Sequence, residues 1–99
     1  MNRMRLRLDR ALALARSEGT TILKLIHGYG SSGVGGALRL AVHSSLVRYK
    51  DSSLIRDFID GEEFRVSDET TWALLKKMPE MKQDRDLGRG NKGITIVIM

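Results

Sequence analysis

The sequence predicts a small α/β domain, a compact two-layer sandwich in which helices pack on a small mixed sheet. Three observations carry this. Apolar residues recur at helical spacing in three segments, β-branched apolar runs of strand length lie between and after them, and a glycine-rich stretch joins a strand to a helix. With 99 residues the chain has the size of one hydrophobic core, so residues 1–99 are expected to form a single domain.

Met4, Leu8, Ala11, Leu12 and Ala15 fall at i, i+4, i+7, i+8 and i+11, which predicts an amphipathic helix over 3–18 with Gly19 as its C-terminal stop. Arg3, Arg7 and Arg10 form a second stripe on that helix, suited to solvent or to phosphate. Leu6 and Leu14 fit neither stripe and point to something further covering the helix.

Residues 20–26, TTILKLI, read as a short, mostly buried strand that ends at His27. Five of the ten glycines follow between Gly28 and Gly36, in a loop whose backbone can approach a ligand closely. Val34, Ala37, Leu38, Ala41, Val42 and Leu46 then predict a helix over about 34–49, with Arg39 and His43 on its outer face. Residues 51–66 fit helix or strand with equal ease, and a short strand at 55–59 is the preferred reading.

Ser67 or Asp68 caps a further helix through Trp72, Leu74, Leu75 and Met78, with Lys76 and Lys77 in its last turn and Pro79 just beyond. Trp72, Leu75 and Met78 read as packing residues. Residues 81–93 form a polar loop, and ITIVIM at 94–99 is a final strand whose unbroken apolar character makes it central, covered on both faces. The sheet counted this way is one strand short. A strand ahead of the first helix would complete it.

Seventeen Lys and Arg against twelve Asp and Glu give a formal charge of +5. The charge is uneven: residues 1–16 hold five arginines against Asp9, whereas residues 56–69 hold two arginines against six carboxylates. Such a layout suits a polyanion that touches one side of the molecule. The absence of cysteine excludes disulfides and thiolate-ligated metal and makes a reducing cytoplasm the default compartment. No apolar stretch approaches the roughly 20 residues needed to cross a bilayer, and the interleaved arginines of residues 1–16 are unlike a secretory signal. Neither a metal nor a cofactor is expected. His43 has no second ligand spaced to join it, and the acidic stretch from Asp57 to Glu69 lacks the alternation of a calcium loop, so both read as solvated surface.

Gly28, Gly30 and Gly33 satisfy G-x-G-x-x-G between a strand and a helix. A dinucleotide site also needs a second strand ending in an acid about 20 residues later. Asp51 stands near that distance but follows the helix directly, and no Lys-Ser or Lys-Thr pair follows the glycines as a P-loop requires. What survives is a strand end, free backbone N–H groups and the positive end of a helix, a place where phosphate is welcome. A purely structural loop, letting the helix pack closely on the sheet, is the competing reading.

The residues from Leu25 to Leu46, followed by GNKGITIVIM, resemble the Smr (small MutS-related) domain family. His27, Gly28, Tyr29 and Gly30 match its HGxG motif, Leu38 and Arg39 its Leu-Arg pair, and Gly93, Thr95 and Val97 its closing G-x-T-x-V strand. The likeness omits residues 60–88, where the Trp72 helix reads as an insertion. It implies a fold similar to the C-terminal domain of translation initiation factor three, binding to DNA or RNA and, in some members, nicking endonuclease activity. Two departures bear on nicking more than on binding. No LDxH, the family's first-strand signature, occurs in the sequence, and Tyr29 replaces the common lysine inside HGxG, supplying a ring that can stack on a base.

The resulting expectation is a nucleic-acid-binding domain in which Gly28, Tyr29, Gly30, Ser31, Ser32 and Gly33 hold backbone phosphate with the start of the second helix. Arg39, Arg89 and Lys92 supply charge, and His27 orients the site or acts as general base. No membrane partner is expected. A protein-interaction or assembly module, forming homo-oligomers through an exposed sheet edge, is the alternative.

Overall fold

The computed structural model describes residues 2–29 and 36–99. Helix α1 spans Asn2–Ser17. It closes in a Schellman turn: the Gly19 amide donates to the Arg16 carbonyl at 3.2 Å and the Thr20 amide to the Ala15 carbonyl at 2.8 Å. Strand β1 is Ile22–Ile26, shorter at its start than the β-branched run suggests. Helix α2 spans Ala37–Asp51, and the expected start of that helix at Val34 lies outside the described residues.

Strand β2 is Asp57–Asp60, beginning later than expected, and runs into a 3-10 turn at Gly61–Glu63. Helix α3 spans Glu69–Lys77, and of its two candidate caps Asp68 serves, its carboxylate accepting the Thr71 amide at 2.9 Å. A second 3-10 turn, Pro79–Gln83, opens the expected polar loop, and strand β3 is Ile94–Ile98.

The α/β class holds, with two corrections to its layout. The sheet order is β1-β3-β2 and both pairings are antiparallel, so the sheet is not mixed. β1 and β2 do run in the same direction, but β3 lies between them and opposes both. The central position expected of the closing strand is the one observed, with Ile94 to Val97 all buried.

The second correction concerns layers. Alternation along the strands sends Leu23, Leu25, Phe58 and Val97 to one face, where Leu8 and Leu12 of α1 and Val42 and Leu46 of α2 cover them. It sends Ile22, Ile59, Ile94 and Ile96 to the other, where Phe64, Leu74 and Met78 from the α3 segment close over them. Helices therefore flank the sheet on both sides, in three layers rather than two. Each fully buried Leu, Ile or Phe contributes roughly 1.5–3 kcal/mol.

Some apolar side chains expected to be covered stay exposed. Trp72 is 48% exposed, with the Lys76 ammonium 5.5 Å from its ring centroid, while Leu75 beneath it is buried. Leu6 and Leu14 are exposed, with nothing among the described residues laid over them. No helix among the described residues is long and apolar enough to cross a membrane.

Candidate functional site

The chain leaves β1 at His27, and the site is built on how that turn is anchored. The amides of His27 and Gly28 both donate to the carbonyl of Gly93 at 2.9 Å, which ties the end of β1 to the start of β3. The His27 imidazole is held from two sides, with Nδ1 3.0 Å from the Gly28 carbonyl oxygen and Nε2 2.9 Å from Thr95 Oγ1. A carbonyl only accepts, so Nδ1 carries a proton. In the neutral ring Nε2 is then the acceptor and the Thr95 hydroxyl donates to it.

The imidazole borders a cleft of about 460 Å³ between α1, the end of β1 and the start of α2. Met4, Leu8, Leu38 and Val42 give it apolar walls, and Arg3 and Arg7, one helical turn apart, stand on its α1 side. The arginine stripe read from the sequence thus brings two of its members to His27. Arg10 does not line this cleft.

A second cleft of about 490 Å³ opens on the other side of the strand end, between Tyr29 and the residues leading into β3. Ile26 lines both clefts and joins them. The Tyr29 ring rests against Gly36, where an added Cβ would lie 2.5 Å from Tyr29 Cε2, and Gly36 also holds φ +84°. Only glycine satisfies both demands. The Lys92 ammonium lies 5.3 Å from the Tyr29 ring centroid, so Tyr29, the entry to α2 and the loop before β3 meet here.

The loop carrying Lys92 is clamped onto β1. Lys24 pairs with Asp84 at 3.0 Å and with Asp86, and Asn91 bridges inward, its amide nitrogen 3.0 Å from Asp86 and its carbonyl oxygen accepting the Gly93 amide at 2.9 Å. Burial pulls the Lys24 ammonium down, but hydrogen bonds and charge attraction from Asp86 and Asp84 outweigh it and hold its pKa above the ordinary lysine value. Hydrogen bonds from Lys24 and Asn91 hold the Asp86 carboxyl below the usual carboxylate range.

Of the expected site residues, His27, Gly28, Tyr29 and Lys92 come together. Gly30, Ser31, Ser32 and Gly33 lie outside the described residues. Arg39 does not join the rim: its guanidinium pairs with Glu62. Arg89 lies exposed on a turn and lines neither cleft. Arg3, Arg7 and Ile26 belong to the site without having been singled out for it. The arginine spacing was visible, but the cleft that α1 overlooks is set by tertiary packing.

His43 is not simply solvated. Its Nδ1 lies 3.1 Å from Asp60 Oδ1, and its ring meets Phe58 edge-on at 5.2 Å between centroids. The acidic stretch is likewise largely paired, Asp57 with Lys50 at 3.1 Å and Glu63 with Arg65 at 3.5 Å. Among the described residues no group of three or more His, Asp or Glu is arranged to hold a metal ion.

No family model matches the sequence, and no curated protein sequence matches it at a significant level. In three dimensions the chain is similar to the Smr domain of MutS2 from Thermus thermophilus, with a TM-score of 0.59 and 27% sequence identity. The match covers 98% of this chain and 82% of that one. The likeness runs over nearly the whole length of the chain and agrees with the Smr resemblance of its motifs in both fold and order.

Proposed function

We propose that the domain binds nucleic acid, DNA or RNA, on the face where β1 ends. The observation that carries this reading is the convergence of Arg3 and Arg7 on the cleft of His27, with Lys92 across Ile26 in the adjoining cleft. In this reading the arginines and Lys92 meet backbone phosphates, and the amides of the 28–36 loop cradle one of them. The first turn of α2 contains no acidic residue and Gly36 offers no side chain to cap it, and in this reading its N–H groups donate to a phosphate. His27 positions the turn. The helix carrying Trp72 packs on the opposite face of the sheet and lines neither cleft.

The test is binding of single- and double-stranded oligonucleotides over a range of salt. If Arg3, Arg7 and Lys92 each neutralise one phosphate, log K falls against log salt with a slope of about −2 to −3, and Arg7→Ala reduces that slope by about 1. Arg39→Ala leaves the slope nearly unchanged, because Glu62 already holds that guanidinium. Absence of binding at low salt, or of amide shifts around His27 and Gly28 on titration, overturns the reading.

A second reading rests on the open edge of β1. The ladder directs the N–H and C=O of alternate residues toward β3 and leaves those of Ile22, Lys24 and Ile26 facing outward, a template for a strand from a second copy. A monomeric mass by light scattering at working concentration removes it.

A further inference from the structure

Resting on the nucleic-acid reading, we infer that the ligand is single-stranded and that its unpaired bases lie on Tyr29 and Ile26, between the arginine cleft and Lys92. A duplex presents phosphates outward and keeps its base faces stacked inside, so a duplex surface has use for cations and little for exposed apolar side chains. Here the apolar groups sit in the middle of the cationic face. Ile26, 76% exposed at the end of a strand, borders Arg3 and Arg7 in one cleft and Lys92 in the other, and Tyr29, 47% exposed, lies beside Lys92.

Because Ile26 lines both clefts, they form one track with charge at each end and an apolar, aromatic centre. That order is the one a strand needs when its phosphates run along the cations and its bases turn inward to stack. The Tyr29 ring lies against Gly36, with the Lys92 ammonium 5.3 Å from its centroid. The backbone adds a third element. His27 donates to Gly93 across the ladder, so by alternation Ile26 directs its own N–H and C=O away from β3. Those groups match the Watson–Crick edges of bases, which a single strand leaves unpaired and a duplex does not.

The experiment compares fluorescence anisotropy on single strands of about twelve nucleotides, DNA and RNA, with a duplex of the same length. The wild type, Tyr29→Ala, Tyr29→Phe, Ile26→Ser and Arg7→Ala are measured together, with thermal melts to confirm folding. Tighter binding of single strands is expected. Tyr29→Ala should weaken that binding roughly 5- to 150-fold while leaving duplex affinity alone, and Tyr29→Phe should retain it. Ile26→Ser should act in the same sense and more weakly, whereas Arg7→Ala weakens both forms. Equal affinity for strand and duplex, or an equal loss on both with Tyr29→Ala, overturns this inference and leaves the nucleic-acid reading standing. Binding of neither form at low salt overturns both.

Discussion

His27 Nε2 and Thr95 Oγ1 lie 2.9 Å apart, joining the end of β1 to the central strand through side chains as well as backbone. Thr95 is only 2% exposed, so its hydroxyl has no water to turn to if the imidazole leaves. Thr95→Val keeps the shape and removes the donor. A loss of about 1 kcal/mol in urea unfolding is expected, with a change in the ring nitrogen shifts of His27 by NMR. An unchanged unfolding midpoint would show that the bond contributes nothing.

Both ring nitrogens of His27 are engaged by the protein, one with Gly28 and one with Thr95. A histidine held this way is placed to orient a turn, not to exchange protons with a ligand. Wild type and His27→Ala are therefore expected to leave a supercoiled plasmid relaxed to the same background extent. Faster relaxation by the wild type alone assigns His27 a general acid–base role instead.

The clamp of Lys24 on Asp84 and Asp86 makes stability depend on pH at both ends. Asp86 is held below its ordinary range, so its contribution is present above about pH 4 and is lost as pH falls through its folded value. Lys24 is held above its ordinary value, so its contribution is present below that value and is lost as pH rises through the folded one. Lys24→Met leaves two carboxylates facing each other without a cation. Stability near neutrality should drop by about 2 kcal/mol, between the worth of an exposed and a buried pair. Urea midpoints between about pH 3 and pH 7 should then rise toward acid in the variant and fall toward acid in the wild type.

Gly61 packs against the chain entering β3. An added Cβ would lie 1.8 Å from the Asn91 carbonyl oxygen and 2.8 Å from Ile94 Cγ1, and the first of these is backbone that cannot swing aside. Gly61→Ala is expected to cost about 1–3 kcal/mol by thermal or chemical unfolding. Because Asn91 adjoins Lys92, the same variant should disturb amide shifts at Tyr29. A variant as stable as the wild type would mean that the two segments separate without penalty.

How far the sequence carries depends on whether a signal is local. The cap at Asp68, the stop at Gly19 and the apolar stripe of Leu8 and Leu12 are decided within a turn or two, and the structure agrees with each. The central place of β3 was legible because no residue from Ile94 to Val97 can face water. The pairing of Arg39 with Glu62 joins residues distant in the chain, and no spacing rule connects them. The same holds for Arg3 and Arg7, whose stripe is visible but whose cleft exists only once α1, β1 and α2 have packed. The third layer was not legible because helical spacing marks Leu74 and Leu75 as packing residues without saying which face of the sheet they cover, and Ile94 and Ile96 alternate with residues serving the other side.

The order β1-β3-β2 also bears on how the molecule comes to be folded. Neither outer strand touches the other, and each pairs only with β3, Ile26 with Ile94 and Asp60 with Thr95. Among the described residues no strand meets a neighbour in sequence through a short hairpin, so every rung of the ladder closes a long loop before it is formed. Contact order is raised accordingly, and the sheet assembles late around one strand while α1, α2 and α3 form from nearby residues. Substitutions in β3 should therefore weigh on the folding rate more than equally buried ones in the helices.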